Sequence, residues 1–226
     1  QKDIVAPTKD TSWTEEQKRQ HFAQHFAFRY GWGDGYFQND TSETFLHFLN
    51  THYPEVKSNR FHDAFLYALE EPYIDTTHID TTKHWLRLVI TESFTNPYCM
   101  VMEKKNGKTY FTTKVTDGIG GQYTGNLRLV WTETYPESVY DSIFTQLQNH
   151  QFWQLPVEDT SCHGGTDGSQ WTVEGMHKGS YQYIRRWSPV RCGDTLTKRI
   201  GELGVQLKQM SKMEEMLNAA TKKNGS

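Results

Sequence analysis

Hydrophobic positions change their spacing four times along this chain. Phe22, Ala23, Phe26, Ala27 and Tyr30 recur every three or four residues, the period of an amphipathic helix. Ser12-Trp-Thr-Glu15 offers a capping box for its start, and Gly31-Trp-Gly-Asp-Gly35 ends it. Asp40-Thr-Ser-Glu43 predicts a second start, for a helix carrying Phe45, Leu46 and Leu49 and stopped by Pro54. Ser58 predicts a third, with Phe61, Phe65, Leu66 and Leu69 before Pro72. The first third therefore reads as helical.

The period then falls to two. Trp85-Leu-Arg-Leu-Val-Ile90 alternates, as does Asn126-Leu-Arg-Leu-Val-Trp-Thr-Glu133, the pattern of half-buried strands. Tyr98–Glu103 and Lys108–Val115 flank Asn106-Gly107, a two-residue hairpin signal. Pro136 opens a helix through His150, with Val139, Ile143 and Leu147 spaced by four. Phe152-Trp-Gln-Leu-Pro156 follows and should dock on the sheet. A second hairpin joins Trp171–Glu174 to Tyr181–Trp187 across Lys178-Gly179. A last helix is predicted from Asp194 to Leu217, with Leu196, Ile200, Leu203, Leu207 and Met210 on one stripe.

Adjacent, hairpin-linked strands make the sheet mostly antiparallel, so the expected class is α+β. The expected organisation is one α+β domain over 12–217. It comprises a helical subdomain at 12–75 and a sheet with a docked C-terminal helix at 85–217. A polar tether at 1–11 and a frayed tail at 218–226 flank it. A start at Gln1 fits a mature terminus left after removal of an export signal, which predicts a periplasmic or secreted protein.

Composition narrows the function classes. The chain has 226 residues, near 1.5 times the ~150 typical of a domain. The charge sum, 24 basic against 27 acidic residues, is −3 and argues against a general nucleic-acid binder. Mean hydropathy is −0.77, and no apolar run approaches the ~18 residues of a membrane span.

Cys99 lies in a strand-like apolar run and reads as a buried free thiol. Cys162 and Cys192 are nearly symmetric about the second hairpin turn, which predicts that they form a disulfide at one end of that ladder. Cys162-His163 lacks the spacing of a zinc site. As adjacent residues they also make a poor catalytic dyad, because extended backbone turns neighbouring side chains apart.

The second hairpin is the most distinctive segment. It places Trp171, Glu174, Tyr183, Arg185, Arg186 and Trp187 on two facing strands. With a two-residue turn, Glu174 faces Tyr183 and lies diagonal to Arg185; a one-residue slip brings Arg186 to the diagonal instead. Either register predicts a carboxylate–guanidinium pair within the hairpin and an arginine stacked on Trp171 or Trp187. Asp167-Gly-Ser-Gln-Trp171-Thr-Val-Glu174, then Tyr181, then Arg186-Trp-Ser-Pro189, resembles a motif of a bacterial, often exported protein family with no established activity. Gly120-Gly-Gln-Tyr123-Thr-Gly125 and Glu92-Ser-Phe-Thr-Asn-Pro97 are similar to further elements of that family. The resemblance covers roughly residues 85 to 210 and implies a fold unit and an envelope context. Family members often carry His after the Tyr; Gln182 stands here, which weakens an acid–base role at that position.

Other patterns carry less. Asp117-Gly-Ile-Gly-Gly121 has the glycines of an anion nest but not the Lys-Ser/Thr of a P-loop, so a permissive loop is the expectation. His21 and His25 have metal-ligand spacing without the Glu of HExxH, and read as helix-surface histidines. Asn39-Asp-Thr41 is a glycosylation sequon only in a eukaryotic secretory host. No motif calls for a cofactor or a metal.

The leading expectation is a non-enzymatic protein that binds a protein partner or envelope component, in an inhibitor- or immunity-like role. Its surface would use Trp171, Glu174, Tyr183, Arg185, Arg186, Trp187 and Tyr123, because Tyr, Trp and Arg dominate interface energetics. The alternatives are a small hydrolase using Glu174 and Asp167 as acids, and a structural or apolar-ligand carrier domain.

Overall fold

The computed structural model describes residues 65–66, 68–72, 82–120, 124–159, 167–191 and 194–224, with side chains to residue 219. The tether, the first two predicted helices, His21, His25, Asn39, Tyr123, Cys162, His163 and Cys192 lie outside these residues.

Six strands form one sheet: β1 (Trp85–Glu92), β2 (Tyr98–Lys105), β3 (Lys108–Thr116), β4 (Leu127–Pro136), β5 (Ser169–His177) and β6 (Ser180–Trp187). Their order is β4-β3-β2-β1-β5-β6, and every neighbouring pair is antiparallel. With the helices below, this is the expected α+β architecture. Asn106 and Gly107 have φ of 52° and 70°, and Lys178 and Gly179 of 48° and 78°. Positive φ at both central residues gives turns whose twist matches the flanking strands. The second hairpin therefore takes the two-residue register, with Glu174 opposite Tyr183.

Between β4 and β5 the chain forms α1 (Glu137–Asn149), which follows Pro136 directly, and a short 3-10 turn (Phe152–Gln154). After β6 come α2 (Thr195–Met210) and α3 (Met213–Asn224). Asp194 caps α2 by accepting from the Thr197 amide at 2.8 Å. The single C-terminal helix expected from the apolar stripe is thus two. Lys212 takes φ of 52°, and the Ser211 hydroxyl accepts from the Met213 amide at 3.2 Å to start the second. That break turns two carbonyls toward β4: Tyr135 Oη donates to Met210 O and Trp131 Nε1 to Ser211 O, each at 2.7 Å. Helix α3 runs on to Asn224, past the expected end at Leu217.

The two faces of the sheet are covered differently. On one, Leu86, Leu88, Ile90, Met100, Met102, Phe111, Trp171, Val173 and Ile184 pack against Tyr140, Ile143, Phe144 and Leu147 of α1 and Ile200, Leu203 and Leu207 of α2. Phe152 of the 3-10 turn is buried in the same cluster, and the ring edges of Phe152 and Trp153 lie over Gly175. This is the predicted docking of that apolar segment. On the other face, Val89 and Cys99 are covered by Phe65, Leu66 and Leu69. They belong to the end of the third predicted helix, of which Phe65, Leu66 and Ala68 are helical. Cys99 is a buried free thiol, as expected.

Candidate functional site

Glu174 and its arginine come from different strands. The β1–β5 register sets Arg87 opposite Glu174 in the middle of the sheet, on the face away from the helices. Arg87 Nε donates to Glu174 Oε2 at 3.0 Å, and Nη2 donates to the same oxygen. Nη1 donates to Glu71 Oε2 at 3.3 Å and to the Pro72 carbonyl at 2.7 Å. The other Glu71 oxygen meets Lys114 Nζ at 2.7 Å, and that ammonium also donates to Glu70 O. Arg87 and Glu174 are only 2% and 4% exposed. Burial pulls the Arg87 pKa down, but Glu174 and Glu71 more than reverse it, so the guanidinium titrates above its ordinary value.

The expected pair inside the hairpin is therefore corrected. Arg185 Nε pairs with Glu158 at 3.0 Å, half-exposed. Arg186 points to the helix side, where Nη1 donates to Val157 O and Arg185 O and Nη2 to Pro156 O, all at 2.8 Å. Its pKa is lowered, chiefly by burial. The described arginine–tryptophan contact is Arg87 over Trp85, 5.8 Å from the ring centroid. The expected stacking of a hairpin arginine on Trp171 or Trp187 is replaced by packing on glycines. The Trp171 ring fills the space where a Cβ on Gly204 would sit, and the Trp187 ring does the same at Gly168. Of the predicted binding residues, Trp171, Glu174 and Arg186 are buried, whereas Tyr183, Arg185 and Trp187 reach the surface in part.

The two acids of the hydrolase reading stand apart. Asp167 is exposed, two residues before β5, and the strand from Ser169 to Glu174 alone spans ~17 Å. Such a distance exceeds any shared-proton or acid–nucleophile geometry.

At that end of the sheet the motif segments converge. Ser93, in the β1–β2 turn, donates through its amide (2.9 Å) and hydroxyl (3.0 Å) to Gly168 O, and the Gly168 amide returns a bond to Ser93 Oγ at 3.1 Å. Asn96 Nδ2 donates to Gly118 O at 2.8 Å, and the Gly120 amide to Thr95 O at 2.9 Å. The Ser188 hydroxyl accepts from the Ser169 amide at 3.1 Å. Within the glycine loop, Asp117 Oδ1 takes the Asn126 amide at 2.7 Å. Its Gly120 amide is taken by Thr95 O and its Asp117 amide by Asn126 O, and a Cβ on Gly120 would strike the Glu92 backbone. Phe94, at the tip of this tied turn, is 71% exposed.

A third cluster escaped sequence reasoning. His84 precedes β1 and His177 ends β5. Their rings lie 5.4 Å apart, and Phe144, Tyr140 and Trp153 surround His177 at 4.7, 6.1 and 6.2 Å. In the sequence His177 looks incidental, one residue before the Lys178-Gly179 turn, and nothing in the pattern pairs it with His84. Among the described residues no group of three His, Cys, Asp or Glu side chains could hold a metal ion, and no helix is long and apolar enough to cross a membrane. The chain matches no protein-family model, and no curated protein is detectably similar to it.

Proposed function

We propose that this chain is an exported, non-enzymatic binding domain that engages a protein partner through the sheet end carrying Phe94. The observation behind this reading is a large exposed aromatic on a turn held from three directions, by Gly168, Gly118 and Gly120. Preorganised aromatics lose little conformational entropy on binding and make strong anchors. Tyr183, Arg185 and Trp187 on the edge strand β6, one strand beyond β5, add residue types common in interfaces. The motif residues Gly168, Trp171, Glu174 and Arg186 then serve to build the platform rather than to touch the partner. An envelope placement rests on the motif resemblance alone. The hydrolase alternative is disfavoured by the tie between Glu174 and Arg87 and by the distance to Asp167.

The test compares wild type with Phe94→Ser and Arg185→Glu as bait in the host's envelope fraction, after thermal unfolding shows both variants folded. A specific partner captured by wild type and lost by Phe94→Ser supports the proposal. Equal capture by all three overturns the assignment of the surface.

A further inference from the structure

We propose that His84 and His177 form an acid-sensitive latch holding the start of α1 and the 3-10 turn against the sheet. A neutral His177 packs against His84 there, and a protonated His177 pushes the two elements away. The inference is independent of the binding reading, because it concerns the opposite end of β1 and β5.

The geometry favours a neutral His177, whose Nδ1 lies 3.4 Å from the Tyr140 hydroxyl and can accept its proton in a hydrogen bond. The His177 ring sits among Phe144 (4.7 Å), Tyr140 (6.1 Å) and Trp153 (6.2 Å), with His84 at 5.4 Å. His84 Nδ1 is buried without a hydrogen-bond partner among the described residues. Both histidines are half-buried, and the aromatic faces around His177 displace part of the water that would solvate a charge there.

The facing charges add to the cost. From β2, Lys104 lies over the Tyr140 ring, 5.6 Å from its centroid. Lys178 follows His177 in the hairpin turn, Lys83 precedes His84, and the 3-10 turn Phe152–Gln154 contributes no charge. Helix α1 brings Glu137 and Asp141, but both are bound to Lys104 Nζ, Asp141 at 3.1 Å. Its N-terminal dipole also disfavours cations near Tyr140. His84, Lys178 and Lys104 all oppose protonation of His177, after burial, and only Asp141 favours it.

The sign follows from linkage. His177 has a lowered pKa in the folded protein, so the unfolded chain binds the proton more readily. Its contribution is intact above the ordinary histidine range, near pH 6.5, and is lost as pH falls through the lower folded value. Tyr140 and Phe144 fix α1 to this site, and Trp153 fixes the 3-10 turn, so these elements loosen first. His150, at the C-terminal cap of α1, is also lowered, by burial first and then by Arg199, so its own acid effect on α1 is separated from that of His177 by substituting each in turn.

Amide hydrogen exchange between about pH 7.5 and 5.0, corrected for intrinsic rates, reads the latch directly. In wild type, α1 amides are expected to lose at least ~10-fold more protection than β2 and β3 amides. His177→Phe keeps the ring packing, removes the charge, and should abolish most of that excess; His84→Gln should reduce it; His150→Gln should leave it. Parallel loss across α1 and the sheet in wild type overturns the proposal. So does an excess that survives in His177→Phe. If that variant fails to fold, an NMR titration of wild type decides: His177 titrating at or above the ordinary histidine value overturns the latch, and titration below it together with a reduced excess in His84→Gln upholds it.

Discussion

The sheet has two faces that are buried by different physics. The helix-covered face joins Leu, Ile, Met, Val and aromatic side chains from β1, β2, β3, β5 and β6 to three helices. Its contacts are non-directional, and one apolar residue of the right volume can stand for another. The opposite face sets a charged chain, Lys114–Glu71–Arg87–Glu174, beside Val89 and Cys99 on β1 and β2. There the contacts are directional, and each charge is held by specific oppositely charged groups. Two charges taken out of water gain little net stability as a pair, but losing either strands the other. The apolar face therefore supplies the general driving force for collapse. The charged face gives the β1–β5 pairing and the docking of residues 65–72 a particular register. A slip of one residue between β1 and β5 would turn Glu174 away from Arg87 and toward the apolar core.

Removing Arg87 is the sharpest test of that asymmetry. Arg87→Met leaves Glu174 and one Glu71 oxygen without their guanidinium, and should cost ~3–5 kcal/mol in urea denaturation. Arg87→Met/Glu174→Leu should cost less than Arg87→Met alone, because no buried carboxylate then remains on β5. A double variant as unstable as the sum of its singles would mean that the pair behaves like ordinary packing, and the distinction between the faces would fail.

The helix-covered face should respond to volume instead. Gly204 of α2 lies against the Trp171 ring, with no room for a methyl group. Gly204→Ala is expected to destabilise by ~1–3 kcal/mol. In a Trp171→Phe background, where the second ring is gone, the same substitution should cost distinctly less. Equal costs in both backgrounds would show that the helix shifts bodily and that the fit at Trp171 is not what limits it.

The same asymmetry explains what was legible in the sequence. Periodicity located the apolar face, since alternation and i, i+4 spacing are properties of single segments. Asn106-Gly107 and Lys178-Gly179 marked both hairpins because a two-residue turn is a local demand on φ. The charged chain was not legible. Arg87 stood inside an alternating strand, a hint that the second face was also covered, but Glu174 was paired with Arg185 or Arg186 because those lay on its own hairpin. Its true partner is 87 residues away, and only the return of the chain through α1 brings β5 beside β1. The break at Ser211 was hidden for a related reason. The apolar stripe continues through Met210 and Leu217 in both helices, and the turn is recognised by Trp131 and Tyr135 from β4.

Arg185 offers the smallest expected effect and the cleanest contrast. It makes the same guanidinium–carboxylate contact as Arg87, at a similar 3.0 Å to Glu158, but the two side chains are 41% and 53% exposed. Water screens the attraction and also solvates whichever partner remains, so neither the gain nor the stranded-charge penalty is large. Arg185→Ala should change stability by less than ~0.5 kcal/mol, and raising the salt concentration should erase what remains. Arg87→Met, buried below the reach of mobile ions, should keep its cost in the same titration. If the two substitutions lost stability equally, or lost salt sensitivity together, chemistry rather than burial would govern both pairs. If they diverge as expected, Arg185 is energetically idle in the fold, and a loss of partner capture in an Arg185 variant reports on the surface alone.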